Sequence, residues 1–300
     1  MNLYSILHKT LARALSIKRP YIDGDITTMS GEQLVGSAFF TDWLVEALPE
    51  TLQDMAWIDG IGNLHVDART KASHTTLFVA HTDTVHHDIG ANKIFKARTV
   101  WSANGAPLGA DDGAGCALLM HMLHGGVAGY YVFTVGEECG GIGSRFLTTH
   151  YPDLLCEFDR AIAFDRRGVD SIITHQAYGR CCSDLFADAL SGAFNTYSPR
   201  FMYSPDDTGV YTDTAEFVDY ISECTNISVG YYNEHTDREY LDLNHFKRLS
   251  RAVLQIKWDD LPTERIAGEE EGPDIELDAF KHSWYTLDGV EYDMNEVRDY

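Results

Sequence analysis

Short apolar runs alternate with helix-period patterns through the middle of the chain, and each run ends in acidic or histidine residues. Residues 75–80 (TTLFVA) gather β-branched and aromatic side chains in a run too short for a helix. They predict a buried strand that ends in HTD. Residues 130–135 (YYVFTV) predict a second strand, running into GEE, and residues 160–164 (RAIAF) a third, running into Asp165. Residues 227–231 (ISVGY) predict a fourth, followed by Tyr232, Asn233, Glu234 and His235. Helical patterns fall between and after them, at 114–123, 183–190 and 243–256, the last with apolar residues at 243, 246, 249, 253 and 256 on one face. Strands alternating with helices predict an α/β fold whose central sheet is mixed and mostly parallel, with helices on its faces. The carboxyl edge of such a sheet is where these folds build their sites. That edge collects His81, Asp111, Glu138, Asp165 and His235.

Composition narrows the partners. The chain has 300 residues, 44% hydrophobic, enough for a large core, and a formal charge of −23 from 46 acidic and 23 basic residues. Such a field repels nucleic-acid phosphates and anionic membranes, so neither is expected as a partner. No apolar stretch approaches the roughly 20 residues needed to span a bilayer. Lys9 and Arg13 interrupt the first 15 residues, which read as an amphipathic helix rather than a signal peptide. Six scattered cysteines with no CxxC pair do not form a disulfide framework and point to reduced thiols and a cytoplasmic location. Residues 1–258 read as a single catalytic domain. Residues 259–300, rich in DD and EEE runs, read as an acidic tail that is docked or partly disordered.

Two histidines, one glutamate and two aspartates have the stoichiometry of a two-metal hydrolytic site, in which one carboxylate bridges and imidazole or carboxylate terminal ligands leave room for water. Each residue alone has a plainer explanation. Asp83 is a plausible turn residue, Asp112 a helix-start charge favoured by the dipole, and Gly140, Gly141 and Gly143 a turn into a helix. Together at successive strand ends they favour metal. His121 and His124, at i, i+3, lack a third ligand nearby and read as helix-face residues. His86 and His87 read as an exposed pair. No GxSxG elbow supports a serine hydrolase, and Cys181 and Cys182 lack the setting of a thiol nucleophile.

HTDTV (81–85), LGADDGAG (108–115), TVGEECGGIGS (134–144), AFD (163–165) and SVGYYNEHT (228–236), preceded by DGIGNLHV (59–66), resemble the ordered motif set of the co-catalytic zinc exopeptidases. That superfamily includes the tripeptidase and carboxypeptidase group, the glutamyl aminopeptidase group and single-domain aminopeptidases, and its fold is a three-layer α/β sandwich. The resemblance implies two zinc ions, replaceable by cobalt or manganese, held by His81, Asp111, Glu138, Asp165 and His235, with Asp111 bridging. It implies that Asp83 orients His81, and that Glu137 is the general base for attack of a metal-bridging hydroxide on a peptide or peptide-like amide. Which metal Glu138 serves stays open.

Only residues 166–234 separate Asp165 from His235, too few for an inserted lid domain as well as core elements. This favours an aminopeptidase, with a carboxypeptidase or N-acyl amino acid amidohydrolase as alternatives. A one-zinc acyltransferase like the glutaminyl cyclases and an inactive binding protein are more distant readings. The expected substrate is a small peptide or acylated amino acid; the sequence leaves the oligomeric state open. Arg166, Arg167 and Arg180 are candidates to clamp a substrate carboxylate; the alternative is that they pair with the protein's own acids. Asp213 and Glu239 are candidate supporting groups.

Overall fold

The computed structural model describes residues 3–21, 37–72, 74–177, 179–269, 285–287 and 290–292. Its frame is an eight-stranded sheet built from β1 (Ala56–Ile58), β2 (Leu64–Asp67), β3 (Thr76–His81), β4 (Tyr130–Thr134), β5 (Arg160–Arg166), β6 (Ser171–Ile173), β7 (Ser204–Asp206) and β8 (Glu223–Ser228). The spatial order is β7-β6-β8-β5-β3-β4-β2-β1. The four central strands β8, β5, β3 and β4 run parallel. β2 and β1 continue the sheet antiparallel on one side, and β6 pairs antiparallel with β8 on the other.

Every residue of β3 and β4 is buried, as expected of parallel strands covered on both faces. Side chains alternate between two cores. Phe78, Tyr131, Phe133, Ile162 and Phe164 face one, packed by α1 (Leu3–Leu15), α2 (Ser37–Ala47), α3 (Ala110–His124), α5 (Asp184–Tyr197) and α6 (Leu243–Ala252). Leu77, Val79, Val132, Ala161 and Ala163 face the other, against Leu147 of α4 (Ile142–His150), Leu155, Phe158 and Phe217. This is the three-layer arrangement expected. α3 is buried from Ala110 to Leu123 and carries no polar stripe, as befits a helix enclosed by its neighbours. α5 starts where Ser183 caps the Phe186 amide at 3.1 Å, and α6 where Asp242 accepts from Asn244 and His245.

The fourth expected strand is displaced. The strand is Glu223–Ser228, and the apolar run 227–231 crosses its end. Gly230, at φ +106°, turns the chain there, and Tyr231–Tyr232 joins a separate four-stranded sheet with Tyr240–Asp242, Val100–Ala103 and Ile94–Lys96. Hydrophobicity misplaced the strand because its polar side chains are buried with partners. Glu223 accepts from Ser183, Thr225 donates to the Ile173 carbonyl, and Asn226 pairs with the Asp165 backbone.

Between Asp165 and His235 the chain supplies β6, β7, β8 and α5, all packed on the same frame. Past residue 258, Leu261 and Arg265 are buried, Arg265 donating to the carbonyls of Val218, Ile221 and Ser222. Most of the acidic stretch after Glu269 lies outside the described residues. All six cysteines are free thiols, and no described helix is long and apolar enough to cross a membrane.

Candidate metal centre

Parallel strands put their carboxyl ends on one edge, and the order β5-β3-β4 makes four predicted residues neighbours there. His81 is the last residue of β3, Asp165 lies near the end of β5, and Glu137 and Glu138 occupy the turn after β4. Asp111 comes from the first turn of α3, where Asp111 and Asp112 depart from helical dihedrals. His235 comes from the loop after Tyr232 and sits at φ +62°.

The two oxygens of Asp111 face different imidazoles: Oδ1 lies 3.0 Å from His81 Nε2, and Oδ2 lies 3.1 Å from His235 Nε2. Asp165 Oδ1 completes the first group, 3.5 Å from His81 Nε2. Glu138 Oε2 completes the second, 3.1 Å from His235 Nε2. Ligand-capable atoms in each trio, His81–Asp111–Asp165 and Asp111–Glu138–His235, fall within 4.8 Å of one another. Glu138 therefore contacts His235 directly, and it also falls in a third trio, with His81 and Glu137. Glu137 Oε2 stands 4.0 Å from His81 Nε2, close to the cluster but in neither trio with Asp111.

Surrounding groups hold these side chains. Asp83 Oδ1 faces His81 Nδ1 at 3.5 Å, and its carboxylate also accepts from the amides of Glu137 and Glu138 at 3.2 Å. One residue thus anchors the Glu-Glu turn and stands beside the imidazole. Asp165 accepts from Thr212 Oγ1 at 2.7 Å and from the Tyr231 hydroxyl at 3.1 Å. Asp112 accepts from the His81 amide and caps Gly115. The DGIGN segment supports the turn from below: Asn63 Oδ1 accepts from the Val135 amide and Asn63 Nδ2 donates to the Gly143 carbonyl. Gly143 is required there, since a Cβ would stand 2.2 Å from Asn63 Oδ1. Asp213 receives the Thr134 hydroxyl.

Glu239 is buried and takes three amide N–H groups, from Gly109 (2.9 Å), Ala110 (2.8 Å) and Asp111 (3.1 Å). It fixes the backbone that presents Asp111. Glu239→Ala strands three donors and is expected to cost about 3 kcal/mol, read as a lower urea midpoint for the metal-stripped protein.

The electrostatics are those of a site with surplus negative charge. Burial pushes Glu137 well above the carboxylate range, with the charges of Asp165, Asp213 and Asp111 adding to it. Burial and Asp111 push Glu138 up to about 7. Burial opposes ionisation of Asp111, yet hydrogen bonds from His235 and His81 outweigh it and hold this carboxyl below its usual range. His235, hydrogen-bonded to Asp111 and Glu138, is raised to about 11. Glu138 Oε1 is buried without a hydrogen-bond partner. This donor set of imidazoles and carboxylates fits a pair of divalent cations such as zinc, cobalt or manganese.

The three candidate arginines are each engaged by the protein. Arg166 donates to Thr208 Oγ1 at 2.9 Å and lies 3.7 Å from Asp206; Arg167 pairs with Glu234 at 3.0 Å; Arg180 pairs with Asp184 at 2.8 Å. His86 is not exposed as expected but buried, between Thr84 Oγ1 and the Pro107 carbonyl. His121 and His124 lie on α3 as expected, His121 buried and His124 reaching the Ala47 carbonyl. Sequence reasoning missed Thr212, Tyr231 and Asn226, which hold Asp165. It also missed Arg19, which reaches the site from the N-terminal segment. Nothing local marks these residues, because their partners are distant in sequence.

No protein-family model matches the sequence, and no curated protein matches it either. Solved structures are similar in fold. The aminopeptidase PepT from Bacillus cereus has a TM-score of 0.62 at 14% identity, covering 85% of this chain and 97% of that one. A tripeptidase from Staphylococcus aureus has a TM-score of 0.62 at 16% identity, covering 85% and 97%. The TET1 peptidase of Pyrococcus horikoshii has a TM-score of 0.60 at 16% identity, covering 83% and 98%. The fold is thus the α/β sandwich of these aminopeptidase and tripeptidase structures, and it carries an acidic–imidazole cluster at the carboxyl edge of its sheet.

Proposed function

We propose that the protein is a two-metal peptidase, an exopeptidase of aminopeptidase type that cleaves small peptides. The observation that carries this reading is the Asp111 carboxylate, whose two oxygens serve two separate imidazoles, each group completed by one further carboxylate. His81, Asp111 and Asp165 would hold one divalent cation, and Asp111, Glu138 and His235 the other. A bound pair supplies Lewis acidity toward the scissile carbonyl and acidifies water. The rest is protein chemistry. Glu137 takes a proton from the attacking water and passes it to the leaving amine, while Asp83 keeps the His81 ring and the Glu137 backbone in place. Residues 1–258 act as one catalytic unit in this reading, and the fold likeness to the aminopeptidases and the tripeptidase supports it.

Engagement of Arg166, Arg167 and Arg180 by Asp206, Glu234 and Asp184 weighs against a carboxylate clamp. It therefore favours recognition of a free amino terminus over a free carboxyl terminus. The test is a set of tripeptides with free or acetylated N-termini and free or amidated C-termini. Cleavage is expected to require the free amine and to tolerate the amide. Dependence on the free carboxylate would instead mark a carboxypeptidase, and cleavage only of the acetylated set an amidohydrolase.

A further inference from the structure

Arg19 is fully buried, the largest side chain among the described residues to be so enclosed. Its guanidinium donates through Nε to the Thr82 carbonyl at 2.7 Å, through Nη2 to the Gly109 carbonyl at 3.2 Å, and through Nη1 to the Ala14 carbonyl. The Phe40 ring lies 4.7 Å from the guanidinium carbon. The backbone is held as well: Thr84 N donates to the Arg19 carbonyl at 2.8 Å, and Arg19 N donates to Thr84 Oγ1 at 3.1 Å.

Those carbonyls have chemical meaning. Thr82 directly follows His81, and Gly109 lies two residues before Asp111. One planar group therefore ties the strand exit bearing the first imidazole to the turn bearing the bridging carboxylate. Glu239 grips that turn from its amide side, so the turn is clamped between a buried carboxylate and a buried guanidinium. The fit is close, since a Cβ on Gly113 would stand 3.0 Å from Arg19 Nη2. Arg160 and Arg265, the other buried arginines among the described residues, lie at the start of β5 and beside Ile221 and Ser222, on the far edge. The charges of Asp112, Asp83 and Glu239 act on the Arg19 guanidinium and favour its charged form against burial.

We infer that Arg19 is a positioning residue for the metal centre, its guanidinium setting the separation of His81 and Asp111. This rests on the two-metal reading above. Only a fork of fixed geometry reaches three carbonyls in different directions; a lysine keeps the charge but not the fork. Changing such outer groups lowers metal affinity about 10–100-fold.

The experiment uses the full chain as wild type, Arg19→Lys and Arg19→Met, with Leu11→Ala as a control that loosens α1 packing without a hydrogen bond to the turn. Each is stripped of metal, checked for folding by urea denaturation, and titrated with zinc against a chelator of known affinity. Both Arg19 variants are expected to bind zinc at least about tenfold more weakly, while Leu11→Ala, although less stable, stays within about twofold of wild type. If Arg19→Met does not fold, Arg19→Lys carries the test. A folded Arg19 variant with wild-type affinity would overturn the inference. A wild type that takes up no zinc would instead overturn the metal reading itself, so the two failures are separable.

Discussion

Glu137→Gln is expected to lower kcat by about 10²–10⁴-fold, the range spanned by loss of a positioned general base, with KM and metal content near wild type. The substitution keeps the size of the side chain and removes its basicity. Glu137 stands outside both Asp111 trios, 4.0 Å from His81 Nε2, and its backbone is anchored separately by Asp83. Steady-state kinetics beside metal analysis of the same preparation check this. Loss of metal along with activity would make Glu137 a ligand, and retained activity would remove it from the mechanism.

Asp111→Asn has the other large effect. An amide offers one carbonyl oxygen and an N–H₂ group, so it cannot serve both imidazoles as the carboxylate does at 3.0 and 3.1 Å. At least one of two metals is expected to be lost and activity to fall by about 10³-fold or more, as for loss of a group on which the others act as a unit. Asp165 belongs to a single trio, and Glu138, in two, lies within hydrogen-bond reach of the His235 imidazole alone. The variant is therefore expected to be worse than Asp165→Asn or Glu138→Gln in metal retained per chain.

How much of this was legible in the sequence follows from where the determinants lie. Continuous apolar runs announced β3, β4 and β5, because parallel strands buried on both faces need no polar alternation. β8 was misread for the opposite reason. ECTNIS is polar yet wholly buried, each group answered by a partner far along the chain, while the apolar letters after it belong to a turn and a second sheet. Part of the cluster was legible because His81, Asp165 and the Glu137–Glu138 turn close neighbouring parallel strands, which fixes them on one edge without knowledge of the packing, whereas Asp111 arrives from the start of α3 and His235 from a loop of the second sheet. Its internal pairing was not. That Glu138 meets His235 at 3.1 Å, besides its grouping with His81 and Glu137, depends on a loop whose path is set at Asn233 and His235, both at positive φ. Arg19 shows the same limit: it sits in an unremarkable IKRPY stretch, and its role exists only once α1, the β3 exit and the α3 turn have come together.

The central claim is that this edge holds two divalent cations bridged by Asp111. It is tested most directly by stripping the full-length protein with chelator, removing the chelator, and titrating zinc while following bound metal and hydrolysis of a free-amine tripeptide. The account predicts saturation at two equivalents per chain, activity that is absent in the stripped protein and restored by zinc, and failure of Asp111→Asn to reach two. Saturation at one equivalent, or hydrolysis that persists in the stripped protein, would contradict it.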